Sequence, residues 1–409
     1  MSTKLILTLS LLLVFLISGG CTPIRDFDNR LSSIVKPYRF SIAKWEFKTI
    51  PNELKQWLFG KHGRIDDEVN TVIEYFLLVE RIKALRSEIE ATNAGGSQDD
   101  IASLETELNT IQEEKTALQD TVEGILARQI KEILAQEGIF NPIDNYVRLK
   151  VNFPPLNFKL EKPSYLLVVS PRDRIESMRE IEIQQNISLE QIEDIEDKVD
   201  NLDVSSLVVE LGGFGGTYPT LVSNNASLQF TVDTATEEWL HQYLVFKPLG
   251  FRYLLDVTGI ARNYEIATIS ETVASMVSKE IGSMVYEKYY AQHENDHTPN
   301  QIANSGFDFN QEMREIRRAV DKYLDEGKVE QAEEFMRQKQ QYLASMGYYI
   351  RKLNQAYFAF HGTYADSPTS ISPIGLELKE LRSQSASLKD FLNTVAAMTS
   401  RQDLKYSLK

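Results

Sequence analysis

Cysteine is almost absent: Cys21 is the single one among 409 residues. No intrachain disulfide can form, so core packing, hydrogen bonds and any bound metal must hold the fold. Basic residues are also in short supply. With 44 Lys and Arg against 59 Asp and Glu, the net charge is −15. No segment concentrates the cations that a phosphate backbone requires, which argues against a nucleic-acid partner. Histidine is limited to five positions, so imidazole chemistry has few candidates. No internal repeat is visible.

What is present is a large apolar fraction, 42% hydrophobic and 10% aromatic residues, enough for a sizeable core in two or three domains. Lys4, the apolar run Leu5 to Ile17 and the small residues Ser18, Gly19 and Gly20 follow the charge, apolar core and cleavage-site order of a secretory signal. That run is too short to span a bilayer comfortably. Ser18-Gly19-Gly20-Cys21 resembles a bacterial lipobox, with Ser18 where Leu is usual. The resemblance implies removal of residues 1–20, a lipid on Cys21, and a body held outside the cytoplasm at the cell membrane or outer membrane. An uncleaved N-terminal anchor is the other reading, and it leaves the body on the same side.

Residues 21–65 read as a tether and leader, with Pro23, Pro37 and Pro51 among Tyr38, Trp45, Phe47 and Trp57. Residues 66–138 read as two helices. The first carries Val69, Val72, Ile73, Phe76, Leu77, Ile82, Leu85 and Ile89 at helical spacing and ends at Asn93-Ala94-Gly95-Gly96-Ser97. The second places Ile101, Leu108 and Val122 on one heptad position and Leu104, Ile111, Leu118 and Ile125 on the other, with Lys115 as the polar interruption. That is a coiled-coil seam. It predicts an antiparallel helical hairpin that acts as a spacer, a partner-binding arm or a self-association contact, or that packs on its own domain. Residues 139–300 begin with strand-like stretches at 146–153, 165–170 and 205–211, around an acidic helix at 189–199. Helices are expected at 226–245, 268–291, 310–324, 329–360 and 376–396, the last three in a C-terminal helical region, 301–409. The expected class is α+β, mainly helical with a small sheet.

The helix at 226–245 contains Glu237-Glu238-Trp239-Leu240-His241. Four-residue spacing puts Glu237 and His241 on one face, where both reach one metal ion, and sets Glu238 beside it. A purely structural reading, a solvated acidic face, fits poorly with Trp239, Leu240, Tyr243, Leu244, Val245 and Phe246 around it, because a buried helix gives its polar groups partners. Glu271, thirty positions after His241, lies on the next helix in Ile269-Ser270-Glu271-Thr272-Val273-Ala274-Ser275.

Over roughly residues 205–291 this resembles the gluzincins, the thermolysin-like HExxH…E zinc peptidases, with Glu237 in the place of the first histidine and Ser270 where Asn is usual. The resemblance implies one zinc ion held by Glu237, His241 and Glu271, with Glu238 as general base for hydrolysis of peptide bonds in a peptide or protein substrate. It also implies an edge strand, Ser205 to Leu211, that holds the substrate by strand addition, and a downstream Tyr or His, among Tyr348, Tyr349, His361 and Tyr364, at the oxyanion. Two carboxylates beside one imidazole would leave the ion less electrophilic. The alternative is therefore a non-catalytic envelope lipoprotein that keeps the fold as an interaction or scaffold protein. A literal HExxH, His293-Glu294-Asn295-Asp296-His297, reads as a decoy, because its interior is polar and Thr298-Pro299-Asn300 follows.

Overall fold

The structure is a computed structural model that describes residues 25–42, 65–93, 98–142, 152–292 and 307–408. Cys21, the signal-like segment, His62, the Gly-Gly break of the hairpin and His293 to His297 lie outside the described residues. The class is α+β: thirteen α-helices and two three-stranded sheets among the described residues.

Helix α1 (Arg25–Val35) precedes the long pair α2 (Ile65–Asn93) and α3 (Gln98–Gln136). Ion pairs of Glu68 with Arg128 and of Arg81 with Glu107 fix α2 and α3 antiparallel. The pair is unevenly buried along its length. Val69, Val72, Tyr75, Val79, Val122, Leu126 and Ile130 are buried, whereas Ile101, Leu104, Leu108 and Ile111 remain half-exposed. Lys115, the polar interruption, is buried and donates to the carbonyl of Asn224 at 3.2 Å.

The first sheet has the order β3-β2-β4, all antiparallel, from β2 (Tyr165–Pro171), β3 (Arg179–Ile183) and β4 (Val204–Glu210), with α4 (Leu189–Asp200) on it. The second has the order β1-β6-β5, from β1 (Phe158–Leu160), β5 (Gly213–Phe214) and β6 (Thr220–Val222). Of the strand expected at 146–153, most lies outside the described residues, and Asn152 and Phe153 are in no strand.

Nine helices follow among the described residues. α5 (Leu228–Leu244), α6 (Pro248–Val257) and α7 (Tyr264–Tyr289) surround the candidate residues, and α8 (Phe309–Asp325) and α9 (Val329–Ser345) form a pair. α10 (Gln355–Gly362), α11 (Pro373–Gln384), α12 (Leu388–Ala396) and α13 (Arg401–Ser407) close the chain. The helix expected at 329–360 is two helices: Gly347 takes a positive φ of 89° that stops α9, and Asn354 caps α10 by accepting from Tyr357 N at 2.9 Å. The helix expected at 376–396 is likewise broken, because Ser387 caps a new helix at Leu388. α6 and α13 are additions; Pro248 sits in the first turn of α6, where its missing N–H costs nothing.

One hydrophobic cluster spans the segments that the sequence separates into hairpin, middle and C-terminal regions. Val72, Ile130, Trp239, Val273 and Phe391 all belong to it, each fully or nearly fully buried. Burying a side chain of this size contributes about 1.5–3 kcal/mol. The base of the long helix pair is thus part of the wall behind α5 and α7.

Candidate metal centre

Ser227 caps α5 by accepting from Phe230 N at 3.3 Å, and Trp239 pins it from the far side by donating to Pro154 O at 2.8 Å. Asn263 caps α7 by accepting from Ile266 N, and its own N–H is held by Asp256 of α6. Helices α5 and α7 pack on each other. A Cβ built on Gly282 of α7 falls 1.8 Å from Asp233 Oδ1 of α5, so the Asp233 carboxylate occupies the space that this glycine leaves.

Across this helix pair three candidate ligands converge. Ligand atoms of Glu237, His241 and Glu271 lie within 4.8 Å of one another, and His241 Nε2 is 3.5 Å from Glu271 Oε2. His241 Nδ1 is buried and has no hydrogen-bond partner among the described residues. Three groups so disposed have the donor types that a divalent cation uses; the unsatisfied Nδ1 is not the nitrogen that faces Glu271. No protein-family model, curated protein or solved structure matches this chain. The reading of the site therefore rests on its own geometry.

Burial pushes Glu237 up to about 8, opposed by His241 and reinforced by Glu238 and Glu271. Burial pushes Glu238 up to about 7, opposed by His241 and by a hydrogen bond from the Gly215 N–H. For His241 burial alone would lower the value, but the carboxylates of Glu271, Glu238 and Glu237 outweigh it and raise it to about 9. Burial acts upward on Glu271 too, yet His241 and the hydroxyls of Tyr253 and Tyr364 hold it below the ordinary carboxylate value. At neutral pH the site therefore keeps protons that a cation would displace.

Glu238 points elsewhere, into a cavity of about 350 Å³ that His241 and Glu271 also line. Its carboxylate lies in a glycine cradle: a Cβ on Gly213 would fall 2.5 Å from Oε1, and one on Gly215 2.6 Å from Oε2. Within the glycine run Gly212 to Gly216, Gly213 and Gly215 are thus where backbone meets Glu238, and Gly213–Phe214 is strand β5. Phe153, Phe214, Val245, Leu254 and Phe360 give the cavity an apolar wall.

The expected edge strand requires a correction. β4 is an edge of its sheet, but it packs on α4 and α10, while β5 and β6 pack on α5. Its outer edge is also occupied. Ser206 N donates to Asp200 Oδ1 and Val208 N to Glu196 Oε1, while the carbonyls of Ser206 and Val208 accept from Asn354 and Arg351. A peptide cannot add there. Two edge strands border the cavity instead: β5 through Gly213 and Phe214, and β3 through Glu180 and Glu182.

Of the downstream aromatics, Tyr364 alone reaches the site, lining the cavity and hydrogen-bonded to Glu271. Tyr349 is 85% exposed, Tyr348 stacks on Phe309 at 4.6 Å, and His361 packs on Tyr357 at 4.3 Å. Tyr253 escaped the sequence reading. It donates to Glu271 Oε1 from α6, whose amphipathic pattern marks a helix but gives no sign of which tyrosine faces the site.

Proposed function

We propose that this chain is an extracytoplasmic, membrane-tethered zinc metallopeptidase of gluzincin type with an EExxH…E metal site. The observation that carries this reading is the convergence of Glu237, His241 and Glu271 beside a cavity into which Glu238 opens. Glu237, His241 and Glu271 would hold one zinc ion. When bound, zinc supplies Lewis acidity toward a water molecule and a peptide carbonyl.

Every other part of the reaction belongs to the chain. Glu238, fixed by the Gly215 N–H between two glycines, accepts a proton from the attacking water and returns it to the leaving amine. Its upward-shifted value of about 7 suits both steps. The peptide C–N bond breaks, the carbonyl carbon gains the hydroxyl, and the amine gains the proton. An extended substrate would lie along the edge of β5, with a side chain against Phe214, Val245 and Phe246. Cys21 would carry the lipid, and the long helix pair, whose distal half is less buried, would serve as a coiled-coil arm toward a partner or a second copy.

The test is hydrolysis of unstructured protein by the purified chain, with chelator and with Glu238→Gln. Activity should be lost in both, with metal retained in the variant. Activity that survives Glu238→Gln would end the assignment of the base. The second reading, a non-catalytic envelope scaffold, is favoured by one observation: Glu237 adds a second carboxylate where two imidazoles would leave the metal more electrophilic. Bound zinc with no hydrolysis in the parent chain would select it.

A further inference from the structure

We propose that Tyr253 is a positioning residue that makes Glu271 a one-oxygen ligand and so biases the site toward four-coordinate zinc. This rests on the metal reading above and specifies how the third ligand works. The Tyr253 hydroxyl donates to Glu271 Oε1, leaving Oε2 on the side of His241 Nε2 at 3.5 Å. The same ring lies against the imidazole, with centroids 5.6 Å apart and planes 30° apart. One side chain therefore touches two of the three candidate ligands.

The backbone explains how it gets there. α6 begins at Pro248 and meets the end of α5 through Gly250, where a Cβ would fall 2.2 Å from the carbonyl carbon and oxygen of Leu244. No larger residue allows that approach. Tyr253, three residues further along α6, is thereby carried over the last turns of α5 and onto His241.

The chemical need follows from the donor set. Zinc in protein sites takes about four ligands, whereas calcium takes about six to eight oxygens. A site with two carboxylates, each free to bind through both oxygens, offers four oxygens and one nitrogen and drifts toward oxygen-preferring cations. Occupying Glu271 Oε1 with a phenol removes one of those oxygens and fixes the carboxylate plane. Tyr364 adds a second hydroxyl to the same carboxylate.

The test compares the full chain with Tyr253→Phe, which keeps the ring on His241 and removes the hydroxyl. Zinc affinity by chelator competition should weaken by about 10–100-fold, the usual cost of losing a partner behind a ligand. In the cobalt-substituted protein the strong visible bands of a four-coordinate ion should fade toward those of a higher-coordinate one. Unchanged affinity and an unchanged cobalt spectrum, with zinc bound in both chains, would overturn the role of Tyr253 and leave the metal reading standing. A parent chain that takes neither zinc nor cobalt would overturn both. If Tyr253→Phe does not fold, zinc-edge X-ray absorption of the parent decides. One oxygen from each carboxylate at roughly 2.0–2.2 Å supports the proposal, and a two-oxygen Glu271 overturns it.

Discussion

Two buried carboxylate sites in this molecule have opposite surroundings. Glu196, whose side chain is 3% exposed, is bound by both arms of Arg351 at 2.6 and 2.8 Å, by Lys352 at 3.5 Å and by the Val208 N–H at 2.6 Å. Its charge is met from within the chain, and it fastens α4 to β4. Glu237, Glu238 and Glu271 share one imidazole, and a nitrogen of that imidazole has no partner among the described residues. The first site is complete and does structural work. The second holds excess negative charge in the interior, which a fold retains only where protons or a cation offset it.

The largest expected effect falls on the complete site. Glu196→Ala leaves Arg351 without its carboxylate and the Val208 N–H unpaired, and should cost about 3 kcal/mol of stability in urea unfolding. Zinc affinity of the folded fraction should not change; a cost below about 1 kcal/mol would erase the contrast between the two sites.

Next in size is the cradle. Gly215→Ala puts a methyl 2.6 Å from Glu238 Oε2 and should lower hydrolysis about a hundredfold with metal content intact, because the base moves by a fraction of its working distance. Equal activity in the variant would mean that Glu238 works from another position.

The third prediction concerns pH. Without metal, Glu237 at about 8, Glu238 at about 7 and His241 at about 9 all bind protons more tightly folded than unfolded. The native state then holds more protons than the unfolded state, and stability falls as pH rises from about 5 to about 9. Glu271 acts in the opposite sense, its contribution being lost only as pH falls below the ordinary carboxylate range. Thermal melts in chelator should decline across that window, and Glu237→Gln should flatten the slope. Zinc should reverse the trend and release about two protons per ion near pH 7, measurable by calorimetry in buffers of different ionisation heat.

The smallest effect separates a lone buried cation from both carboxylate sites. Among the described residues Lys115 donates to the Asn224 carbonyl and to no carboxylate, and burial, followed by Arg86, lowers its pKa. Lys115→Met should change stability by less than about 1 kcal/mol in either direction. A large loss would show that this lysine, like Arg351, answers a carboxylate.

The trio Glu237, His241 and Glu271 was legible because helical spacing fixes which residues share a face, and Glu271 needed only a second helix packed on the first. Gly282 leaves room for the Asp233 carboxylate on the facing helix, which appears only when Asp233 is seen opposite. The breaks at Gly347 and Ser387 carried ordinary stop and cap signals within longer helical patterns. The occupied edge of β4 was not legible. Arg351 and Asn354 reach it from more than 140 positions away, and periodicity carries no information about such partners. Tyr253 was hidden for a similar reason: its role depends on α6 folding back over α5 at Gly250.

The most direct measurement is zinc content of the purified full chain beside Glu271→Ala and His293→Ala. One zinc per chain, lost in Glu271→Ala and kept in His293→Ala, is the expected result. Zinc that persists in Glu271→Ala, or a parent chain that binds none when zinc is supplied, would contradict a metal centre built from Glu237, His241 and Glu271.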